Sequence, residues 1–444
     1  MKKGWKVKKL CELGAAIREQ AKIVTHQEYE LWSVPSFEAG IPEPSYGKNI
    51  GSAKLRVRPD DVLICKINPR INRVWLVAKP VNGREQIGST EWLVFRANAD
   101  SGLFPSWLIH FVSAPKFREW IASEVSGATG SHTRAKADGI LQQEIPVPPL
   151  PEQQRIVGIL DEAFEGITTA KANAEKSLHN AKELFQSVLS RAVVGEITKE
   201  WREKWRLEKT NADAETKEFL QRIKGIERKA SRSEETSGHE LITNVLPREW
   251  WLSSIGSLFN LIDYRGKNPP RSTGGRRLIT ARNIRMGYVS DEPITFISEE
   301  TYKKWMVRGF PKTGDIFFVT EGHTMGFVAL NTRDDDFALA QRTITLQPAI
   351  PFDTKFVFYF MLSCHFQELV RLNATGAAAV GMKGSKFRSL PLPFPPIAEQ
   401  QIIVTKLDDL LAETQRLESI YQQKLAALEA LKKSLLHQAF NGEL

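Results

Sequence analysis

Pro146-Val-Pro-Pro-Leu-Pro-Glu152-Gln-Gln-Arg-Ile156-Val-Gly-Ile-Leu160-Asp161 returns as Pro393-Phe-Pro-Pro-Ile-Ala-Glu399-Gln-Gln-Ile-Ile403-Val-Thr-Lys-Leu407-Asp408, 247 positions later (399 minus 152). The register then holds without a gap. Leu178, Leu184, Ser187, Leu189, Ala192, Gly195 and Glu196 meet Leu425, Leu431, Ser434, Leu436, Ala439, Gly442 and Glu443 at the same offset. The chain is therefore a tandem duplication, and its 444 residues exceed what one core usually supports.

Proline punctuation stops at Glu152 and Glu399, where a helix is expected to start, and Gly195 and Gly442 stand where such helices end. Leu160, Phe164, Ile167, Lys171, Ala174, Leu178, Ala181, Phe185, Val188 and Ala192 alternate spacings of four and three, the seam of a coiled coil. The second copy runs Leu407, Leu411, Thr414, Glu418, Tyr421, Leu425, Leu428, Lys432, Leu435 and Ala439. Each stripe could dock on its own domain. Two matched stripes in one chain favour pairing with each other. If the helices run antiparallel, the interruptions Lys171 and Glu418 are expected to face one another across a pseudo-two-fold axis.

Upstream the copies match loosely. Trp5, Leu10 and Leu13 resemble Trp250, Ile255 and Leu258, and Asp61-Val-Leu-Ile resembles Asp315-Ile-Phe-Phe. Runs such as Arg73-Val-Trp-Leu-Val-Ala78, Ile316-Phe-Phe-Val319 and Thr343-Ile-Thr-Leu346 read as strands, being β-branched and aromatic between Gly, Pro and Asn. Leu103 to Glu124 and Phe352 to Leu372 read as helices on those sheets. The fold class is α+β: two tandem globular domains of mixed helix and strand, each followed by a long helix, with the helices pairing as an antiparallel coiled coil. The divisions are 1–145, a first globular domain; 146–197, Pro-rich turn and central helix; 198–245, charged linker; 246–391, a second globular domain; and 392–444, the second turn and helix.

A formal charge of +9 and a pI near 9.3 suit a polyanionic partner. Cys11, Cys65 and Cys364 form no CxxC pair and are expected as small buried hydrophobes, not as a disulfide framework or zinc site. No apolar run approaches the roughly 20 residues of a membrane span, and the start turns charged at once, so a cytoplasmic protein is expected. The sequence holds no HExxH, GxxxxGK[ST] or GxGxxG motif. Asn268-Pro-Pro-Arg271 resembles the Asn-Pro-Pro-aromatic motif of amino-methylating DNA methyltransferases, but Arg271 replaces the stacking aromatic and no glycine-rich cofactor loop precedes it. No catalytic or metal residue is assigned.

Basic and amide-bearing loops remain, combining cations for phosphates with side chains able to contact base edges. In the first domain the candidates are Lys66, Asn68, Arg70, Asn72 and Arg73, followed by Arg134 and Lys136. In the second they are Arg265, Lys267, Arg276, Arg277, Arg282, Asn283, Arg285, Gln341, Arg342, Lys383 and Lys386. Any one cluster could be a solvated surface. Their density, on domains that diverged while the helices did not, favours DNA reading.

The doubled Pro-x-Pro-Pro-x-x-Glu-Gln-Gln motif, each copy leading into a long helix ending in Gly-Glu, closely resembles the specificity subunits of Type I restriction-modification systems. Gly195-Glu-Ile-Thr-Lys-Glu-Trp201-Arg202 is similar to the central region of their enterobacterial branch. The resemblance implies two target-recognition domains, each reading one half of a split, asymmetric DNA site. It implies helices that set the half-site spacing and dock two modification subunits, with restriction and translocase subunits joining through the complex. S-adenosylmethionine, ATP and magnesium would sit on those partners and none on this chain, which would be a non-catalytic subunit. Three alternatives stay open: a DNA-binding scaffold or regulator without restriction partners, an enzyme with degenerate motifs, and a coiled-coil interaction protein indifferent to DNA.

Overall fold

The computed structural model describes residues 2–126, 133–208, 216–219, 221–222, 236–264, 266, 268–376 and 381–444. Arg265, Lys267 and much of the expected linker lie outside the described residues. The chain forms two compact units, Met1–Ser177 with Ile420–Leu444, and Leu178–Ser419. Each long helix, Leu150–Ala192 and Ile397–Asn441, gives one part to each unit.

The first unit holds β1 (Lys6–Lys9), β2 (Gly14–Ile17), β3 (Glu28–Trp32), β4 (Glu43–Tyr46), β5 (Lys54–Arg56), β6 (Val62–Cys65), β7 (Val74–Leu76), β8 (Glu85–Ser89), β9 (Trp92–Ala97), β10 (Val125–Ser126), β11 (Arg134–Ala135) and β12 (Glu144–Val147). One antiparallel sheet has the order β2-β9-β6-β7 and a second β4-β3-β8-β5, in which β3 and β8 are parallel. β6 reads Val-Leu-Ile-Cys and is buried throughout, as befits a central strand covered on both faces. β1 pairs with β12, so the chain start is sewn to the strand that enters the proline turn.

The second unit repeats this plan with β13 (Trp251–Ser254), β14 (Phe259–Asp263), β15 (Arg276–Ile279), β16 (Ile284–Arg285), β17 (Tyr288–Val289), β18 (Phe296–Ile297), β19 (Ile316–Val319), β20 (Val328–Leu330), β21 (Phe337–Leu339), β22 (Thr343–Pro348) and β23 (Pro391–Phe394). Its sheet β14-β22-β19-β20 matches β2-β9-β6-β7, and β15 runs parallel to β21 as β3 does to β8. The expected helix over 103–124 is two, Pro105–Ser113 and Pro115–Ser123, because Pro115 has no N–H to continue the first. The one expected over 352–372 also divides, into Lys355–Leu362 and Cys364–Asn373, with the Ser363 hydroxyl accepting from the Phe366 N–H as the cap of the second. Of the cysteines only Cys65 is buried; Cys11 and Cys364 are exposed, contrary to expectation.

The expected seam is the one that packs. In the first helix Leu160, Ile167, Ala174, Phe185 and Ala192 are buried, and Phe164, Lys171 and Leu178 half-buried. In the second, Leu407, Thr414 and Ala439 are buried, Leu411, Glu418, Leu425 and Leu435 half-buried, and Lys432 lays its ammonium over the Phe164 ring, 5.0 Å from its centre. The pairing is antiparallel, since Lys171 meets Glu429 at 2.9 Å and Lys182 meets Glu418 at 3.8 Å. Lys171 and Glu418 thus do not face one another. Partner numbers sum to 600 in both pairs (171 plus 429, 182 plus 418), which with the 247-residue offset centres the pairing register near residues 176 and 423. Each interruption lies about a turn and a half from that centre, on the N-terminal side of its own helix.

The Glu-Gln-Gln motif has a structural explanation. Gln153, fully buried, donates to the carbonyls of Gly102 and Pro148 and accepts from the Phe104 N–H, pinning the proline turn to the domain beside it. Gln400 donates to the Pro395 carbonyl in the same way. Glu399 is buried with Arg202 as its ion partner and accepts from Thr198 at 2.6 Å and the Trp250 indole at 2.9 Å. Burial pushes the Glu399 carboxyl up, and these donors oppose that shift. Its copy Glu152 is more open, and hydrogen bonds from Arg155 and Lys2 bring it down to about 2.

Candidate nucleic-acid interface

In each unit the inner strand β6 or β19 ends in a loop that meets two others at one end of the sheet. In the first unit the Lys66 N–H donates to the Glu91 carbonyl at 3.0 Å, and the Ala135 N–H to the Lys66 carbonyl at 2.9 Å. In the second, the Thr320 N–H donates to the Arg342 carbonyl and the Met382 N–H to the Thr320 carbonyl, both at 2.9 Å. The same backbone joint therefore gathers 66–72, 89–92 and 133–136 in one unit, and 320–326, 340–342 and 381–386 in the other. Side chains on the joint differ: Arg134 pairs with Glu91 at 2.6 Å, whereas Arg342, whose φ is +76°, pairs with Glu321 at 3.1 Å.

This places Lys66, Asn68, Arg70, Arg134 and Lys136 together in the first unit, and Gln341, Arg342, Lys383 and Lys386 together in the second. Among the described residues, Arg70, Lys136, Lys383 and Lys386 meet no carboxylate. Lys66 turns its ammonium onto the Thr90 carbonyl at 2.9 Å, and partial burial lowers its pKa. Ile71, half exposed at 50%, stands beside Arg70 on one turn of helix between two asparagines in the left-handed region, Asn68 and Asn72.

Other expected residues are committed elsewhere. The Asn72 amide donates to the Val112 carbonyl at 2.9 Å, tying the loop to the end of a helix. Asn283 is fully buried, accepting from the Thr280 N–H and hydroxyl and donating to the carbonyls of Ser290 and Pro293. Both placements follow from the same need: a buried or bent backbone must satisfy its polar groups, and a short amide side chain does so. Arg73 pairs with Glu38 at 3.0 Å, Arg277 with Asp291 at 3.2 Å, and Arg276 with Glu299 and Asp336 at 2.8 and 3.3 Å. The Glu299 carboxylate holds the Arg276 guanidinium above its ordinary pKa. Arg282, in the turn before a hairpin, and Arg285, on it, are in contrast exposed and meet no carboxylate among the described residues. Sequence reasoning named both arginines but missed Tyr288 beside them, 60% exposed, because a single tyrosine in a two-residue strand carries no periodic signal.

No group of three or more His, Cys, Asp or Glu side chains is placed to hold a metal among the described residues. No helix there is long and apolar enough to cross a membrane.

Two units of one plan, each carrying a basic loop cluster at the same end of the same sheet and each continued by a copy of one helix, make a tandem duplicate. The family model of the Type I restriction modification DNA specificity domain matches residues 2–178 and again 247–429, and the chain belongs to that family. It is 23% identical over 348 residues to the EcoKI specificity subunit of Escherichia coli strain K12, covering 77% of this chain and 66% of that one. To the Escherichia coli EcoBI specificity subunit it is 24% identical over 340 residues, covering 74% and 64%. It thus spans a little under two thirds of the length of these curated relatives. Among solved structures, a chain described for complex assembly and conformational transition of the type I R-M system aligns over 100% of this chain and 99% of its own, with TM-score 0.72 and 18% identity. The HsdS subunit from Thermoanaerobacter tengcongensis aligns over 100% and 98%, with TM-score 0.56 and 18% identity. These structural likenesses bear on the fold.

Proposed function

We propose that this chain is the DNA sequence-specificity subunit of a Type I restriction-modification complex, each recognition domain reading one half of a bipartite, asymmetric site. The observation that carries the reading is the shared three-loop joint with exchanged side chains: the same pair of backbone hydrogen bonds presents Arg134 and Glu91 in one unit and Arg342 and Glu321 in the other. A constant frame with different side chains is what two readers of different base sequences need. The paired helices set the separation of the half-sites and dock two modification subunits, and restriction subunits join through that complex. The chain supplies the address, while S-adenosylmethionine, ATP and magnesium are bound by the partners and catalysis belongs to them.

The test is to assemble the chain with its modification subunits and sequence the methylated DNA. A split, asymmetric site is expected, and exchanging residues 1–145 for another first domain is expected to change one half alone. Methylation by the purified chain unaided would count for the enzyme reading. Salt-insensitive or absent DNA binding by the assembled complex would leave only an interaction protein.

A further inference from the structure

The two units differ between the parallel strands of their second sheets. After β3 the first unit forms a short helix, Val34–Phe37, with Phe37 packed on Trp75. After β15 the second unit instead raises a hairpin, β16 and β17, turning at Met286 and Gly287, where Gly287 has φ +100°. Ile284 lies opposite Val289, and Arg285 opposite Tyr288. Residues directly opposite in an antiparallel pair share a face. The Ile284 and Val289 face is turned inward, with Ile284 fully buried and Val289 packed on the core. The other face carries Arg285 and Tyr288 into solvent, and Met286 at the tip is 39% exposed.

This ribbon is braced. The buried Asn283 bonds both chains at its foot, with the Ser290 N–H returning to the Asn283 carbonyl at 2.7 Å. At the tip the Gly287 N–H donates to the Val328 carbonyl at 2.8 Å, on the first residue of β20. Residues 320–326 of the loop cluster lead directly into that strand, so the tip stands beside the cluster. Nearby arginines are neutralised, Arg277 and Arg333 both by Asp291, whereas Arg285 on the ribbon and Arg282 in the turn at its foot meet no carboxylate among the described residues. Rigid backbone, unneutralised guanidiniums and an exposed aromatic residue with a hydroxyl are combined on one small element.

We propose that this hairpin is a groove-reading ribbon of the second recognition domain, in which Tyr288 contacts base edges of one half-site while Arg282 and Arg285 hold the flanking phosphates. The proposal rests on the DNA-reading function above. A two-stranded ribbon fits the major groove of B-form DNA, where a tyrosine can place its ring on a thymine methyl and its hydroxyl on a base edge. Tyrosine also loses little rotamer freedom on binding. Among the described residues the first unit has no such ribbon at the matching place, consistent with a different half-site.

The experiment uses the full chain assembled with its modification subunits, and compares binding and methylation on the cognate duplex, on duplexes altered in one half-site, and on unrelated DNA. Tyr288→Ala is expected to reduce discrimination at the half-site of the second domain by roughly ten- to a hundredfold, leaving the other half-site and the salt dependence unchanged. Tyr288→Phe separates hydroxyl from ring. Arg285→Gln and Arg282→Gln are expected to weaken cognate and unrelated DNA alike, each lowering the salt slope by about one. Val307→Ser, at a position 75% exposed and outside the hairpin, serves as the neutral control, and unchanged melting temperatures exclude misfolding. Full half-site discrimination by Tyr288→Ala in a complex whose unsubstituted form discriminates would overturn the ribbon alone. An unsubstituted complex with no sequence preference would overturn the DNA-reading function as well.

Discussion

Lys171 of the first long helix donates to Glu429 of the second at 2.9 Å, and not to Glu418, its own counterpart in the repeat. Glu418 meets Lys182, the counterpart of Glu429. Both bridges therefore run from lysine on the first helix to glutamate on the second, which fixes the pairing register and distinguishes the two strands of an otherwise repeated rod. The Glu429 carboxylate raises the Lys171 pKa, and Lys171 lowers that of Glu429.

Charge reversal tests this register. Lys171→Glu and Glu429→Lys should each lower the melting temperature slightly, and the double exchange should restore it; the bridge is exposed, so the coupling should be small and should fade in high salt. Lys171→Glu with Glu418→Lys should show no coupling. Coupling in that second cycle, and none in the first, would mean the register is wrong.

The buried pair of Arg202 and Glu399 is of another kind. Here side chains following the first helix meet the motif that begins the second, with Thr198 and Trp250 completing the contacts. Glu399→Ala leaves a buried guanidinium without its partner and should cost about 3–5 kcal/mol in denaturant unfolding. Arg202→Met leaves the carboxylate buried. Because burial already raises the pKa of Glu399, the folded state holds a proton more tightly than the unfolded, so this variant should regain stability as pH falls. A loss of stability on acidification in that variant, relative to Glu399→Gln, would contradict the argument.

Much of this was legible in the sequence and some was not, for definable reasons. The offset of 247 and the four-three spacing required the helices, because an exposed stripe of Leu160, Ile167 and Phe185 would cost too much to leave unpaired. Strands were readable where β-branched and aromatic residues run between turn formers, as in β6 and β19. The register was not readable from the two interruptions, since nothing requires a break in a stripe to lie on the symmetry axis; Lys182 and Glu429, which exchange charge at the same offset, carried the missing information. Nor could sequence separate amides that build loops from amides offered to DNA. Asn72 and Asn283 became braces because their loops left carbonyls to satisfy.

Each globular part is also latched to its own helix through the same aspartate of the repeat. His110 meets Asp161 at 2.8 Å in the first unit, while Tyr359 and Lys355 meet Asp408 at 2.5 and 2.6 Å in the second. Burial lowers the His110 pKa from 6.5, more than Asp161 raises it. The unfolded chain therefore binds the proton more readily, so the latch is at full strength above about pH 6.5 and loses stability as pH falls below it. Melting between pH 5 and 8 should show that loss in the native chain and less of it in His110→Phe. An identical slope in both would remove His110 from the account.

Half-site spacing is the property that the rod itself should control. Both bridges connect residues whose numbers sum to 600, so lengthening one helix alone slides every contact on one side of the insertion out of register. Matched insertions at the centre, after residues 176 and 423, keep both bridges and the seam. A heptad preserves the apolar repeat and adds roughly 10 Å at 1.5 Å per residue, about three base pairs of duplex at 3.4 Å each. The doubly lengthened chain, assembled with its modification subunits, should methylate the same two half-sites with a spacer longer by about that amount, whereas a single insertion should mainly lower stability. An unchanged spacer in a stably folded double insertion would show that something other than the helices measures the distance.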